Sequence, residues 1–204
     1  MKTAPITTSE PPDKMSARDR ILAAANELFY KEGIRAIGID TVIEKAGVAK
    51  MSLYRAFPSK DDLIAAFLEM RDRIYWQWWD GVVSRHPGHP RQQLNAVFQA
   101  VAKKTASPDY RGCPFVNTAV EFPDPNHPGR AVAEGNKREL RLRLRALVDG
   151  LNVPRPDLLT DQLLLLMEGA YSSGNTLGPD GPTPAVASAA DAIIDSHLRE
   201  KDSP

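Results

Sequence analysis

The 204-residue chain has one cysteine, no apolar run longer than six residues and no excess of either charge. Each shortage excludes something. Cys113 alone cannot build a disulfide framework or a cysteine-rich zinc site. The longest apolar run, Leu63 to Leu68, is far shorter than the roughly 18 residues a membrane span requires. Residues 1–15 hold no apolar stretch that could serve as the core of a secretory leader. Lys plus Arg and Asp plus Glu both number 26, so no global charge advertises a polyanion or a membrane surface as partner. What remains is a cytoplasmic chain long enough to bury a real core.

What is present is proline, 17 residues unevenly spread. Three of them lie among Thr, Ser and charged residues in positions 1–15, a composition that cannot repay the entropy of ordering and reads as a disordered tail. Beyond it the proline-free windows are 13–57, 59–86, 91–107, 129–153, 157–178 and 185–203. Proline breaks helix interiors, so helices belong in these windows. Only Leu140 to Arg145 alternates with a period of two. Leu140, Leu144, Leu147 and Leu151 also fall at helical spacing, and Leu, Arg and Glu favour helix. The fold class is therefore all-α.

The N-terminal windows carry the clearest punctuation. Ser16 and Asp19 form a capping-box pattern, and Ile21, Leu22, Ala25, Leu28 and Phe29 then share one face up to Gly33. Asp40 or Thr41 can cap a second helix carrying Val42, Ile43 and Ala46, which Gly47 stops. A third helix, about 49–57, turns Leu53, Tyr54 and Phe57 inward. Pro58 breaks it, and Ser59 caps a long fourth helix running to about Val82. Two short helices about a glycine turn, inside a three-helix cluster, make a helix-turn-helix. Its second helix is of a size to enter the major groove of DNA. Residues 45–60 hold Lys45, Lys50, Arg55 and Lys60 and no acid. The chain as a whole is neutral, so a basic N-terminal module sits on an acidic remainder.

The run from Arg20 to Leu68 resembles the DNA-binding domain of TetR/AcrR-family transcriptional regulators. The strongest match runs from Ala46 through Gly47-Val48, Leu53-Tyr54, Phe57 and Ser59-Lys60 to Leu63. A second stretch, RGCPFVNTAVEFPDPNHPGR (111–130), resembles a regulatory-domain segment of one branch of that family. The resemblance implies a DNA-binding set of Thr41, Lys50, Met51, Ser52, Tyr54, Arg55 and Lys60. Tyr54 and Lys60 stand where phosphate contacts usually occur, and Lys50, Met51, Ser52 and Arg55 lie on the exposed side of the recognition helix. Met51 and Ala56 depart from the small residue and the histidine often found there. No operator sequence can be carried over.

The expected layout is a tail (1–15), a helix-turn-helix domain (16–62) and a helical ligand-binding and dimerisation domain (63–204), with the long fourth helix joining the last two. The resemblance implies a repressor that binds a palindromic operator as a homodimer through its last two helices and answers to an unknown small-molecule effector. Candidates to line the effector pocket are Trp78, Trp79, Phe98, Phe115, Asn117, Glu121 and Tyr171, which join apolar walls to a few polar groups. No cofactor, metal site or membrane contact is expected. Lys137, Arg138, Arg141, Arg143 and Arg145 read as a solvated face with ion pairs. The alternative is an enzyme or small-molecule binding protein that carries this fold without regulating an operator. Cys113, Asp124 and His127 would have to supply a catalytic nucleophile, acid and base, and nothing signals an oxyanion hole.

Overall fold

Ser16 opens the first helix: its hydroxyl accepts the Asp19 N–H at 3.1 Å and donates to the Asp19 carboxylate at 2.6 Å. The computed structural model describes residues 15–201, so all but the last residue of the expected tail lies outside the described residues. Those residues form helices α1 (Ala17–Glu32), α2 (Ile39–Ala46), α3 (Lys50–Ala56), α4 (Lys60–Val83), α5 (Pro90–Thr105), α6 (Pro114–Glu121), α7 (Pro128–Asp149), α8 (Pro156–Leu177) and α9 (Val186–Lys201), with short 3-10 turns at Gly178–Asp180 and Thr183–Ala185. There is no strand among them, and no helix is long and apolar enough to cross a membrane.

Two local expectations change. The second helix starts earlier than its candidate caps: Gly38 is its N-cap and offers no side chain, while Asp40 and Thr41 lie in its first turn. Asp40 still benefits the positive helix end. The alternating segment at Leu140 is helical because its burial has the helical period. Leu140, Leu144 and Val148 are buried four residues apart, whereas Leu142 is 61% exposed.

The chain divides into two compact units. The first unit runs to Arg73 and also takes in Pro114–Glu134; the second comprises Ile74–Cys113 and the chain from Gly135 onward. Thus α6, distant in sequence, belongs with the helix-turn-helix. In the first unit α1 packs on α2 and α3. Ile21, Ala25, Val42, Leu53, Leu63 and Ile64 are fully buried there, and the Phe29 and Phe67 rings meet edge-on at 5.6 Å. In the second unit α5, α8 and α9 pack together around Leu94, Val97, Phe98, Val101, Leu159, Leu163 and Ile194.

Candidate nucleic-acid interface

The candidate interface is built on α2 and α3. Gly47 ends α2 in the left-handed conformation (φ 61°), which glycine adopts without penalty. The guanidinium of Arg20 then donates to the Gly47 carbonyl at 2.6 Å. Val48 follows, and α3 begins at Lys50. Leu53 and Phe57 face the core as expected, but Tyr54, expected inward with them, stands outward alongside Lys50, Met51 and Arg55. Met51 is 72% exposed and Tyr54 42% exposed, high values for an apolar and an aromatic side chain with nothing to cover them. Thr41 and Arg55 are exposed, and Ser52 is half-buried. The Lys50 ammonium donates to Asp40 at 3.1 Å, and that carboxylate raises its pKa.

Lys60 is engaged with the backbone. Its ammonium donates to the carbonyls of Ile34 (2.9 Å) and Ile37 (2.7 Å), inside the turn between α1 and α2. Partial desolvation there pulls its pKa down, against the raising influence of Glu121 and Asp61. Its helix starts with a full capping box: Ser59 Oγ accepts the Asp62 N–H at 3.1 Å, and Asp62 accepts the Ser59 N–H at 3.0 Å.

The expected effector set is shared out between the two units. Phe115, Asn117 and Glu121 lie on α6 in the first. Asn117 and Glu121 line a crevice with Phe29, Tyr30, Ile34 and Phe67 whose roughly 10 Å³ admits at most one water. Glu121 is engaged with the backbone: its carboxylate accepts the Ile34 N–H at 3.3 Å and the Arg35 N–H at 2.7 Å. Two charge-assisted amide hydrogen bonds hold the Glu121 carboxylate against this turn.

Trp78, Trp79, Phe98 and Tyr171 belong to the second unit, where sequence reasoning missed their polar neighbours. The Tyr171 and Tyr75 hydroxyls are 3.1 Å apart. Lys104 lies over the rings of Trp78 and Tyr75, and Lys137 over that of Tyr171. Lys137 donates to Glu168 at 2.7 Å and to the Cys113 sulfur at 3.3 Å. Burial lowers the Lys137 pKa, but Cys113 and Glu168 outweigh it and leave it raised. Burial also drives both tyrosine hydroxyls well above the ordinary phenol value. Two buried tyrosines spaced 96 residues apart leave no local signal, and only Tyr171 stood out in the sequence.

The supposed catalytic trio is occupied elsewhere. Cys113 receives Lys137, Asp124 accepts from the Asn126 amide, and the His127 ring stacks on Phe122 at 4.2 Å while its Nδ1 accepts from Gly129. The basic run on α7 is neutralised: Arg141 bonds Asp161, Arg143 bonds Glu139 and Asp80, and Arg145 bonds Asp149 and Asp157. No cluster of three or more potential metal ligands occurs among the described residues.

A buried-core helix-turn-helix presenting basic and apolar side chains, followed by a separate helical unit, defines the class of helix-turn-helix transcriptional regulators. Within it, the family model of bacterial regulatory proteins, tetR family, matches residues 21–67. The crystal structure of a TetR-type transcriptional regulator from Streptomyces avermitilis superimposes with a TM-score of 0.81 at 32% identity, over 90% of this chain and 98% of that one. The transcriptional regulator YjdC of Escherichia coli is 25% identical over 76% of this chain and 81% of its own length. The transcriptional repressor NemR of the same organism is 26% identical over 65% and 68%. The chain belongs to the TetR family of transcriptional regulators.

Proposed function

We propose that the chain is a ligand-responsive cytoplasmic repressor that binds a two-fold symmetric DNA operator as a homodimer. The observation that carries this reading is the outer face of α3, where Lys50, Met51, Tyr54 and Arg55 stand clear of a core that locks Leu53 and Phe57. Arg55 has the planar fork that matches guanine, Met51 can touch a thymine methyl, and the Tyr54 hydroxyl suits a phosphate oxygen. Thr41 and Ser52 complete the proposed DNA-facing set, and Lys60 braces it from the α1–α2 turn. The relative named as a repressor supports that direction of control.

The effector belongs in the second unit, at the seam of Tyr75, Tyr171, Trp78, Lys104 and Lys137, where hydroxyls and ammonium groups meet aromatic rings. Such a seam suits a flat molecule with acidic or carbonyl oxygens. Dimerisation uses α8 and α9. Leu158, Leu165, Gly169, Ser172 and Thr176 are exposed along one stripe of α8, and Ser188, Ala192 and Ser196 along α9, small residues that let a second copy approach closely. Selection of duplexes from a random pool tests the reading. A palindromic consensus bound with steep salt dependence is expected. Recovery of no consensus would sink it.

A further inference from the structure

The turn between α1 and α2 is held by two side chains of opposite charge that come from far along the chain. Its buried anchors are Ile34 and Ile37. Its amides at Ile34 and Arg35 go to the two oxygens of Glu121, and its carbonyls at Ile34 and Ile37 go to the ammonium of Lys60. Backbone groups in a short turn have no helical partners of their own, so these side chains supply them.

The turn matters because α2 starts immediately after it without a side-chain cap. Gly38 contributes none, and Ala49 gives α3 none either. The entry direction of α2 is therefore set by the turn rather than by its own first residues. A second contact reinforces the clamp: the Arg35 guanidinium lies over the Phe122 ring at 5.3 Å, one residue beyond Glu121. Glu121 is an anion and gains nothing by touching phosphate.

We propose that Glu121 is a positioning residue for DNA binding, its bidentate grip on the Ile34 and Arg35 amides holding the α1–α2 turn in the conformation that aims the helix-turn-helix. The proposal rests on the DNA-binding reading above. It assigns α6 a place in the DNA-binding head, where the Glu121 carboxylate couples α6 to the start of α2.

The test uses the full chain and a duplex selected by the wild type from a random pool. Glu121→Ala and the isosteric Glu121→Gln are compared at 25 °C, below their melting transitions. Glu121→Ala is expected to bind about tenfold more weakly, and Glu121→Gln, which keeps one acceptor, about threefold. The slope of log affinity against log salt should stay parallel to the wild type because no phosphate contact is lost. Amide exchange at Ile34 and Arg35 should accelerate in both variants. Faster exchange with wild-type affinity would overturn the proposal, reducing Glu121 to a stabilising contact. Unchanged exchange would overturn it as well, by showing that the grip is not made. A wild-type chain that selects no duplex would overturn the DNA reading itself, an outcome visible before any variant is measured.

Discussion

Arg55 and Tyr54 are neighbours on the exposed side of α3 and separate the two parts of DNA recognition. Arg55→Ala is expected to remove discrimination at one or two operator positions, about 1–3 kcal/mol at each, measured on single-position variants of the selected duplex. Equal losses on operator and random DNA would make it a phosphate contact instead. Tyr54→Phe should weaken all duplexes alike, since a hydroxyl on a phosphate carries no sequence information. Lys60 is a sharper case. With its ammonium on the Ile34 and Ile37 carbonyls, Lys60→Ala is expected to lower stability while changing the salt slope by clearly less than the one unit a lost phosphate contact gives. A full unit would return it to the phosphate-binding set. At this scale the sequence marks identity and register, which is why the exposed α3 residues were legible. It does not mark a lysine that turns back onto carbonyls 23 and 26 residues away, because either orientation satisfies the same local pattern.

Elements are read best where their ends carry chemistry. The Ser59 cap starting α4 is legible in the sequence, and the structure adds the return bond from the Ser59 N–H to Asp62. Ser59→Ala should cost about 1 kcal/mol in urea unfolding; no loss would mean that Asp62 alone holds the helix start. The α2 start is the counterexample, since Asp40 and Thr41 are better caps by residue type than Gly38, and tertiary packing decides otherwise. Between elements, Arg91 on α5 clasps Asp191 and Asp195 on α9, and Asn95 adds two bonds to Asp191. Burial raises the Asp191 pKa, but Arg91 and Asn95 outweigh it and hold the carboxyl below its usual value. A depressed carboxylate gives stability that is present above its unfolded pKa of about 4 and lost as pH falls through the folded one. Arg91→Gln should therefore be less stable than wild type above about pH 5, with the difference narrowing below about pH 4 in thermal melts. Parallel stability curves across that window would show that the clasp contributes nothing. Nothing local in the sequence marks this clasp, because its partners lie about one hundred positions apart.

On the scale of the whole molecule, the proposed dimer makes the largest demand on the surface. Leu163 to Met167 look uniformly apolar in sequence, and that pattern alone cannot divide a subunit's own core from a face meant for a second copy. Burial divides them. Leu163 and Met167 are enclosed within the subunit, whereas Leu165 is 72% exposed and continues a stripe of Gly169, Ser172 and Thr176. The same division falls on α9. Ile194, by pattern the natural interface residue, is fully buried in its own subunit, so a charge placed there would strike the fold first. In the proposed dimer the two helices separate folding from assembly. Leu165→Asp is expected to yield a folded monomer, with helical content and melting cooperativity retained. Ile194→Asp should yield unfolded or insoluble protein. Sedimentation and circular dichroism on the same samples distinguish the outcomes. The monomer should also bind a half-site duplex while losing its preference for the palindrome, since two-fold recognition needs two heads at a spacing near one helical turn or a multiple of it. A Leu165→Asp chain that still sediments as a dimer would move the interface off the α8 stripe. If it were monomeric and yet bound the palindrome as tightly as the wild type, the paired-head model of recognition would fall.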